Sequence, residues 1–324
     1  MIRSVTSRAE GGCDVVVSLP TPAYPNRERI VDAIRQSLDS PVSVDFATDE
    51  ALGKNSGGAI GLHIKNVIAV GSGKGGVGKS TVAASIAFGL KSYGAKVGLM
   101  DADVYGPSIP HLLGAQGRPE VREYKTDDGR TINRIQPIEK DGVKVISMAF
   151  FIEPGKAVVW RGPLLHRAIT QFLQDTEWGE LDYLIIDLPP GTGDVSLTLS
   201  QLLGLAGAVV VCTPQQVALL DAVKAIEMYR QVKIPVLGIV ENMSGEIFGR
   251  GGAQKKATEM SVPFLGEVPI DAGIRISGDE GRISDVFADD SPSRQAFLGV
   301  SEQVAIQVVQ QLMSGPKTPT LEVL

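Results

Sequence analysis

The stretch GSGKGGVGKST, residues Gly71–Thr81, decides the fold of this chain. It contains GKGGVGKS, which fits the phosphate-binding pattern G-x-x-x-x-G-K-[ST]. The apolar run NVIAVGS before it predicts a buried strand, and the segment Lys79–Tyr93 after it predicts a helix. Strand, loop and helix in this order are the context in which such a loop binds phosphate. A glycine-rich turn that merely starts a helix is therefore the weaker interpretation.

The chemistry of this loop gives its residues distinct roles. Glycines allow successive backbone N–H groups to point at an anion, and the helix N-terminus adds partial positive charge. The pattern places Lys79 at the β- and γ-phosphates and the Ser80 hydroxyl on Mg²⁺. A second lysine, Lys74, is one that the pattern does not require. The predicted nucleotide-binding residues of the loop are Gly73, Lys74, Gly75, Gly76, Val77, Gly78, Lys79, Ser80 and Thr81.

From Lys65 onward, apolar runs of strand length alternate with helical segments. Several runs, such as DYLIIDLP and AVVVCTP, are apolar throughout, which is typical of parallel strands covered on both faces. The pattern predicts an α/β fold with a doubly wound, mostly parallel sheet whose ligands bind at the carboxyl ends of the strands. Further helices are predicted at Leu164–Asp175, Val195–Leu203, Gln215–Gln231, Ala253–Met260 and Ser293–Met313.

The first 52 residues predict a separate small α+β unit. CDVVVSLP and PVSVDFAT are strand candidates, and NRERIVDAIRQSL carries a helical apolar stripe. The Gly- and Ser-rich segment GKNSGGAIG then indicates a flexible linker. The predicted boundaries are 1–52 for the small unit, 53–63 for the linker and 64–324 for the P-loop domain.

Two predicted strands end in carboxylates: LMDAD supplies Asp101 and Asp103, and LIIDLPPGTGD supplies Asp187. A carboxylate that closes an apolar strand is costly to bury unless a metal or a donor partners it. Asp187 is therefore predicted to hold Mg²⁺ directly or through water, and Asp103 to orient the attacking water. A turn or helix-capping role is the alternative for Asp101 and Asp103. Gly191 is predicted to let the backbone approach a γ-phosphate and relax after hydrolysis.

Composition limits the possible partners. The net charge of −6 and the lack of a Lys/Arg-rich stretch argue against a nucleic-acid partner. Apolar runs fall short of the roughly 20 residues of a membrane span, and the C-terminus has no basic amphipathic helix, so no membrane role is expected. The two cysteines are far apart and the N-terminus has no long apolar core of a signal peptide, which together predict a cytoplasmic setting.

The chain resembles the Mrp/ApbC group of deviant Walker-A ATPases. The resemblance rests on KGGVGKST, DADVYGPSIP, RGPLLH, WGELDYLIIDLPPGTGD, TPQQVALLDAVKAIEM, PVLGIVENMS, IFGRGGAQKKA and VPFLGEVPID, which occur in the family's order. It implies an ATP-hydrolysing homodimer that is gated by its nucleotide. It also implies that Lys74 reaches across the dimer to the phosphates of the partner's nucleotide, and that Asn242 and Pro269 lie at the adenine.

The small unit resembles part of the domain that precedes the ATPase in this family. LPTPAYPNRERIVDAIRQSL is similar to that domain's TPAC segment and the helix after it. Tyr24 stands where the family has a cysteine. The domain's first strand and first helix are expected to be absent.

The family's iron–sulfur cluster ligands are missing from this sequence. The resemblance implies a C-x-x-C between ENMS and IFG, but only Gly245 and Glu246 stand there. Fe–S clusters are held by thiolates, typically four, and Cys212 is predicted to be an inert core residue. The other cysteine, Cys13, opens a predicted strand, and the histidines His63, His111 and His166 lack metal-ligand spacing.

Two functional hypotheses follow for this chain. In the first it is a Mg²⁺-dependent iron–sulfur carrier ATPase whose cluster ligands come from a partner protein or an unusual arrangement. In the second it is a nucleotide-dependent dimerisation switch or scaffold that recruits a protein client and binds no cluster.

Overall fold

The computed structural model describes residues 2–8, 11–19, 21, 24, 27–38, 40–48, 62–125, 129, 131–151, 162–191 and 193–314. Most of the predicted linker, 53–61, lies outside these residues, so the domain boundaries stay predictions. Within the described part of the chain, no helix is long and apolar enough to cross a membrane.

The N-terminal unit is a three-stranded sheet with one helix: β1 (Ile2–Ser7), β2 (Cys13–Leu19), α1 (Arg27–Gln36) and β3 (Val42–Thr48). β2 and β3 are parallel and joined through α1, whereas β1 runs antiparallel to β2 at the edge. The expectation that this unit lacks a first strand is wrong. The strand was missed because every residue of IRSVTS is exposed at the sheet edge, so the segment carries no alternation of apolar and polar residues.

This unit has little core of its own. The inward residues of β2 are buried, but α1 buries no side chain fully and every residue of β1 is exposed. An open apolar groove of about 510 Å³ remains between β1, β2 and α1. The unit also contacts the rest of the protein, since the Thr21 Oγ1 and Tyr183 Oη atoms are 2.6 Å apart in a buried hydrogen bond.

The remainder of the chain builds one eight-stranded sheet with the order β13-β12-β11-β4-β10-β5-β9-β8. All of its pairings are parallel except the one between β8 and β9, which is antiparallel. This confirms the predicted doubly wound, mostly parallel sheet. Its strands are β4 (Ile64–Gly71), β5 (Val97–Asp101), β8 (Ile138–Lys140), β9 (Val143–Ser147), β10 (Leu181–Asp187), β11 (Leu205–Cys212), β12 (Val236–Ser244) and β13 (Phe264–Pro269). A separate antiparallel hairpin is formed by β6 (Val121–Lys125) and β7 (Thr131–Ile135).

Helices connect these strands close to their predicted positions. They are α2 (Lys79–Ser92), α3 (Ile109–Leu113), α4 (Gly162–Asp175), α5 (Gly193–Leu202), α6 (Gln216–Gln231), α7 (Gly252–Glu259), α8 (Ala272–Asp279) and α9 (Pro292–Ser314). α2 packs against α9 and against the central strands, and α6 packs against α7 and β11. Two helices, α3 and α8, and the β6–β7 hairpin were not predicted. They are short, and α3 and the exposed hairpin carry too weak a periodic pattern to separate them from loops.

The core explains why the sheet is parallel. Every residue of β10 is buried, as are all but one of β4. Such strands need cover on both faces, which the connecting helices supply. The carboxyl ends of β4, β10 and β5 therefore meet at one edge of a rigid scaffold, which is where the candidate site lies.

Candidate nucleotide-binding site

Sheet order explains how segments far apart in sequence meet at this site. β10 lies between β4 and β5, so Asp187 at its end is paired with Val70 on one side and with Asp101 on the other. The phosphate loop starts directly after β4 and leads into α2. The predicted carboxylates and the predicted loop are thereby brought together, as expected for parallel strands.

The loop approaches its neighbours so closely that side chains would not fit. A Cβ on Gly73 would lie 2.1 Å from the carbonyl oxygen of Asp221 on α6, and one on Gly78 would lie 2.1 Å from Asn242 Nδ2. Gly78 also has φ 78°, a left-handed conformation that favours glycine. Two close contacts and one special dihedral thus fix the loop between α6 and β12.

The start of α2 offers free hydrogen-bond donors. Among the described residues, no acceptor lies within hydrogen-bonding distance of the backbone N–H groups of Gly78, Lys79 and Ser80, and no side chain caps the helix. The first N–H groups of a helix have no partner within the helix. Together with the helix dipole, they form a ready anion-binding site.

Lys79 is the first residue of α2, and its ammonium lies between two carboxylates. Its Nζ atom is 2.5 Å from Asp187 Oδ1 and 3.5 Å from Asp103 Oδ2, and it also donates to Ser80 Oγ at 3.3 Å. All three charged side chains are less than a tenth exposed. In the absence of nucleotide, the charge of Lys79 is therefore balanced by the same acids that were predicted to serve Mg²⁺ and water.

One carboxylate oxygen of Asp187 has no hydrogen-bond partner among the described residues. The pKa of its carboxyl is raised because the group is completely buried, and the Lys79 ammonium and the Ser80 hydroxyl offset this rise only in part. Asp187 Oδ2 is buried and has no hydrogen-bond partner among the described residues. A buried unpartnered carboxylate oxygen close to a serine hydroxyl is a donor set that fits Mg²⁺, which takes one or two protein oxygens and fills its other positions with water and phosphate. The residues present thus fit the metal that the sequence implies.

The alternative role of Asp101 is the one that the structure supports. Its carboxylate accepts hydrogen bonds from Asp103 N, Ile109 N and Ser147 Oγ at 3.0 to 3.2 Å, so it ties the end of β5 to α3 and β9. Burial and the nearby Asp187 charge raise the pKa of Asp101 to about 8, although these three donors partly offset the shift.

Asp103 combines both of its expected features. Its Oδ1 atom accepts from the backbone N–H groups of Tyr105 and Gly106, which is a turn role. Its Oδ2 atom faces Lys79 instead, at the same edge as the phosphate loop.

Lys74 differs from Lys79 in every respect. It lies on the outer part of the loop and is partly exposed, and its carbonyl oxygen accepts from Ser72 Oγ at 2.8 Å. No acidic side chain among the described residues lies within 4 Å of its ammonium group. Gly191 is close by, since its N–H donates to the carbonyl oxygen of Ser72 at 2.9 Å.

A cavity of about 320 Å³ adjoins the loop at Gly78 and Thr81. Asn242 and Pro269, the residues predicted to lie at the adenine, both line it. Asn242 Nδ2 donates to the carbonyl oxygen of Val77 at 2.9 Å, so its amide oxygen is left for a ligand. The cavity has apolar walls that were not predicted, formed by Leu112, Met243, Ile270 and Ile274.

The cavity residues missed from the sequence belong mainly to α3 and α8. Asp271 was the available signal, because Asp before a short apolar pattern indicates a helix start. Its Oδ1 atom accepts from Gly273 N at 2.7 Å and caps α8. His111 on α3 lines the same cavity.

Both cysteines of the chain are buried. Cys212 is buried in β11, and burial raises the pKa of its thiol to about 12. Cys13 is buried in the N-terminal unit. In the part of the chain that the structure describes, no group of three or more His, Cys, Asp or Glu side chains is arranged to hold a metal ion.

Comparison with known proteins agrees with this geometry. The family model described as ParA: NUBPL iron-transfer P-loop NTPase matches residues 63–305. The chain belongs to this family. The resemblance to the Mrp/ApbC group is thereby confirmed, and the chain is a nucleotide-binding P-loop protein of the iron–sulfur carrier kind.

Relatives of this P-loop protein match most of its length. The iron–sulfur cluster carrier protein of Deinococcus radiodurans is 45% identical over 331 residues, which cover 95% of this chain and 89% of that protein. The iron–sulfur cluster transfer protein NUBPL of Dictyostelium discoideum is 42% identical over 255 residues, covering 76% and 77% respectively.

Solved structures show the same fold for this P-loop NTPase. A nucleotide-binding protein from Archaeoglobus fulgidus in complex with ADP is 40% identical, with a TM-score of 0.59, and covers 73% of this chain and 93% of that one. The cell division ATPase MinD of Pyrococcus furiosus is 23% identical with a TM-score of 0.56, covering 74% and 98%. At that identity the second likeness shows the fold alone.

Proposed function

We propose that this protein is a Mg²⁺-dependent ATPase that works as a homodimer. The observation that carries the proposal is the position of Lys79, whose ammonium lies 2.5 Å from Asp187 Oδ1 at the start of a helix whose first N–H groups have no acceptor among the described residues. A buried cation, free amides and an unpartnered carboxylate oxygen together match the needs of a bound triphosphate and its metal. When Mg²⁺ is bound, it neutralises charge on the phosphates.

The residues of this chain would divide the work between them. Lys79 and the amides of the loop bind the phosphates, while the Ser80 hydroxyl and Asp187 Oδ2 hold the metal. Asp103, whose Oδ2 atom faces this edge, orients the attacking water and accepts its hydrogen bond. Water attacks the γ-phosphorus, the bond to the β–γ bridging oxygen breaks, and ADP and phosphate leave.

Lys74 is proposed to serve the partner's nucleotide. It is unpaired within the described residues, and it lies on the outer part of the loop rather than beneath it. A cation supplied across an interface stabilises the charge of the transferring phosphoryl group and couples hydrolysis to dimer closure. Asn242 and Pro269 are proposed to bind the adenine, for which the cavity beside Gly78 has room.

Two candidate functions differ in whether the protein carries an iron–sulfur cluster. Relatives are named as iron–sulfur cluster carriers, and carriage through a partner's ligands is the first candidate. The second is a nucleotide switch that recruits a protein client without a cluster. One observation favours the second: residues 245–249, which follow ENMS directly, form a tight turn closed by two hydrogen bonds between Gly245 and Gly249, and they contain no thiol.

Two measurements on the purified protein test the proposal. Phosphate release from ATP should require Mg²⁺ and should fall to background in Asp187→Asn, because the metal loses its buried oxygen ligand. Hydrolysis by Asp187→Asn at the wild-type rate would contradict the proposed metal site.

The second measurement is iron and acid-labile sulfide per chain after anaerobic reconstitution, with Cys13→Ser and Cys212→Ser as controls. A stoichiometric cluster that either variant loses would favour carriage and name a ligand. No cluster in a protein that still hydrolyses ATP would favour the switch.

A further inference from the structure

A single buried carboxyl group joins the two ends of the segment that follows β5. Asp101, the last residue of β5, is fully buried, and its two oxygens have different partners. Oδ1 accepts from Asp103 N at 3.1 Å, whereas Oδ2 accepts from Ile109 N at 3.2 Å and from Ser147 Oγ at 3.0 Å. Because a carboxyl group is planar and rigid, the position of Ile109 N at one oxygen bears on the position of Asp103 N at the other.

The Ile109 end of this link belongs to the cavity that is proposed to receive the adenine, called the base cavity below. Ile109 is the first residue of α3, and His111 and Leu112 on α3 line the base cavity. The side chain of Ser108, at the usual capping position, makes no capping hydrogen bond with a described residue, so the first N–H of the helix is bound by Asp101 instead. Asp101 therefore helps to place this wall of the base cavity.

The other end of the link is the residue proposed to orient the attacking water. The Oδ1 atom of Asp103 is held by the N–H groups of Tyr105 and Gly106, and its Oδ2 atom faces Lys79 at 3.5 Å. The direction of Oδ2 thus depends on the backbone at Asp103, which Asp101 binds. A displacement of about 1 Å at such a group can cost about 10²-fold in rate.

We propose that Asp101 is a positioning residue that links the base cavity to Asp103, so that a base in the cavity sets the water-orienting carboxylate. The inference rests on the proposed ATPase and adds a requirement to it: turnover depends on the base as well as on the phosphates. A base that packs on Leu112 holds α3 in place, Ile109 N then fixes Oδ2 of Asp101, and Oδ1 fixes Asp103. Asp101 itself contacts neither the nucleotide nor the water.

The consequence is that this protein selects its substrate in the rate of the chemical step. A triphosphate without a base can still bind to Lys79 and the amides of the loop. Its binding leaves α3 unsupported, so Asp103 is not held in the orientation that hydrolysis needs. Discrimination therefore appears in kcat more than in affinity.

The test compares ATP with inorganic tripolyphosphate, which offers three linked phosphates and leaves the base cavity empty. Phosphate release with Mg²⁺ gives kcat and KM for each, and wild type should turn over ATP at least about tenfold faster. Asp101→Asn puts an amide nitrogen, which cannot accept, at one of the two oxygen positions. It should lower kcat for ATP about 10- to 100-fold and leave its KM within about threefold, whereas kcat for tripolyphosphate should change less than about threefold.

A second variant probes the same link from the base cavity. Leu112→Ala shortens a half-buried side chain of the cavity wall, so it should lower kcat for ATP and leave kcat for tripolyphosphate unchanged. If Asp101→Asn does not fold, as judged by circular dichroism, Leu112→Ala decides the question by the same comparison.

Asp182→Asn is the matched control for general damage. It makes the same change in a buried carboxyl that also accepts a backbone N–H, from Lys96 at 2.8 Å, but lies at the amino end of β10. Its kcat for both substrates should stay within about twofold of wild type.

The outcomes separate the link from the proposed function. Equal loss on both substrates in Asp101→Asn, or no loss on either, would overturn the link between the base cavity and Asp103. Equal kcat of wild type on ATP and tripolyphosphate would also overturn the link and leave the ATPase standing. A wild type that hydrolyses neither substrate would overturn the proposed ATPase itself.

Discussion

The two lysines of the phosphate loop lie only five residues apart in sequence but in opposite surroundings. Lys79 is 7% exposed at the side chain and lies between Asp187 and Asp103 at the carboxyl edge of the sheet. Lys74 is partly exposed on the outer part of the loop and has no acidic neighbour within 4 Å among the described residues. Lys79 is thus paired with carboxylates of its own chain, whereas Lys74 has no acidic partner among the described residues.

This difference shows how one loop can serve two nucleotides. A buried lysine that is paired with carboxylates of its own chain exchanges them for phosphate when the nucleotide binds. Its role is therefore limited to the nucleotide of its own chain. A partly exposed lysine that has no acidic partner among the described residues can instead pair with a group outside the chain. The following predictions test this contrast, from the largest expected effect to the smallest.

Removal of the buried lysine should have the largest effect. Lys79→Ala should abolish both nucleotide binding and hydrolysis, because the phosphates lose their buried cation. Calorimetric titration with ATP and a phosphate-release assay measure the two losses. ATP binding that persists at wild-type affinity in a folded variant would refute the assigned role of Lys79.

Removal of the exposed lysine should split binding from turnover. Lys74→Ala should keep nucleotide affinity within about threefold and lower kcat by about 10² to 10³, because it removes one donor that acts on the transition state. Lys74→Arg is the matched control that keeps the charge, and it should retain part of the activity. Equal kcat in the wild type and Lys74→Ala would remove the contrast between the two lysines.

The smallest expected effect is on the pH dependence of folding stability, and it comes from Asp101. Because the pKa of Asp101 is raised to about 8, the folded protein holds a proton that the unfolded chain releases above about pH 4. Folding stability of the nucleotide-free wild type should therefore decrease between pH 4 and 8, by at most about 1.4 kcal/mol per pH unit.

Asp101→Asn lacks this proton, so its stability should not show that slope. Urea unfolding at pH 5 and pH 7.5 should move the free-energy difference between wild type and variant by about 2 to 3 kcal/mol in favour of the variant. Identical pH dependence of the two proteins would show that Asp101 is ionised in the folded state.

Much of the fold was predictable because buried parallel strands have a strong signature. β10 is apolar throughout its length, and its carboxylate marks the edge at which ligands bind. The sequence also identified the loop, because Gly73 and Lys79 belong to a pattern whose spacing is set by phosphate geometry, and it identified Asp187 as a carboxylate that closes an apolar strand. These segments depend on local chemistry, so they can be recognised from the sequence alone.

Features set by tertiary contacts could not be predicted in the same way. Glu241 was missed: its buried carboxylate accepts from Gly251 N and Ala253 N at 2.7 and 2.6 Å and anchors the start of α7. The segment ENMS does not predict these two hydrogen bonds, because their donors lie ten and twelve residues further along the chain. The same applies to Met243, whose φ of 56° is a left-handed conformation that the sequence does not indicate.

The central claim, that Lys74 acts across the dimer, is tested most directly by mixing two inactive variants. Lys74→Ala retains an intact nucleotide site and Lys79→Ala retains the lysine for its partner, so the mixed dimer contains one complete site. The account predicts that ATP hydrolysis returns on mixing, at up to about half of the wild-type rate per dimer, given by one site out of two. If sedimentation shows that mixed dimers form but the mixture is as inactive as its components, the claim that Lys74 acts across the dimer is contradicted. Lys74 would then act on the nucleotide of its own chain.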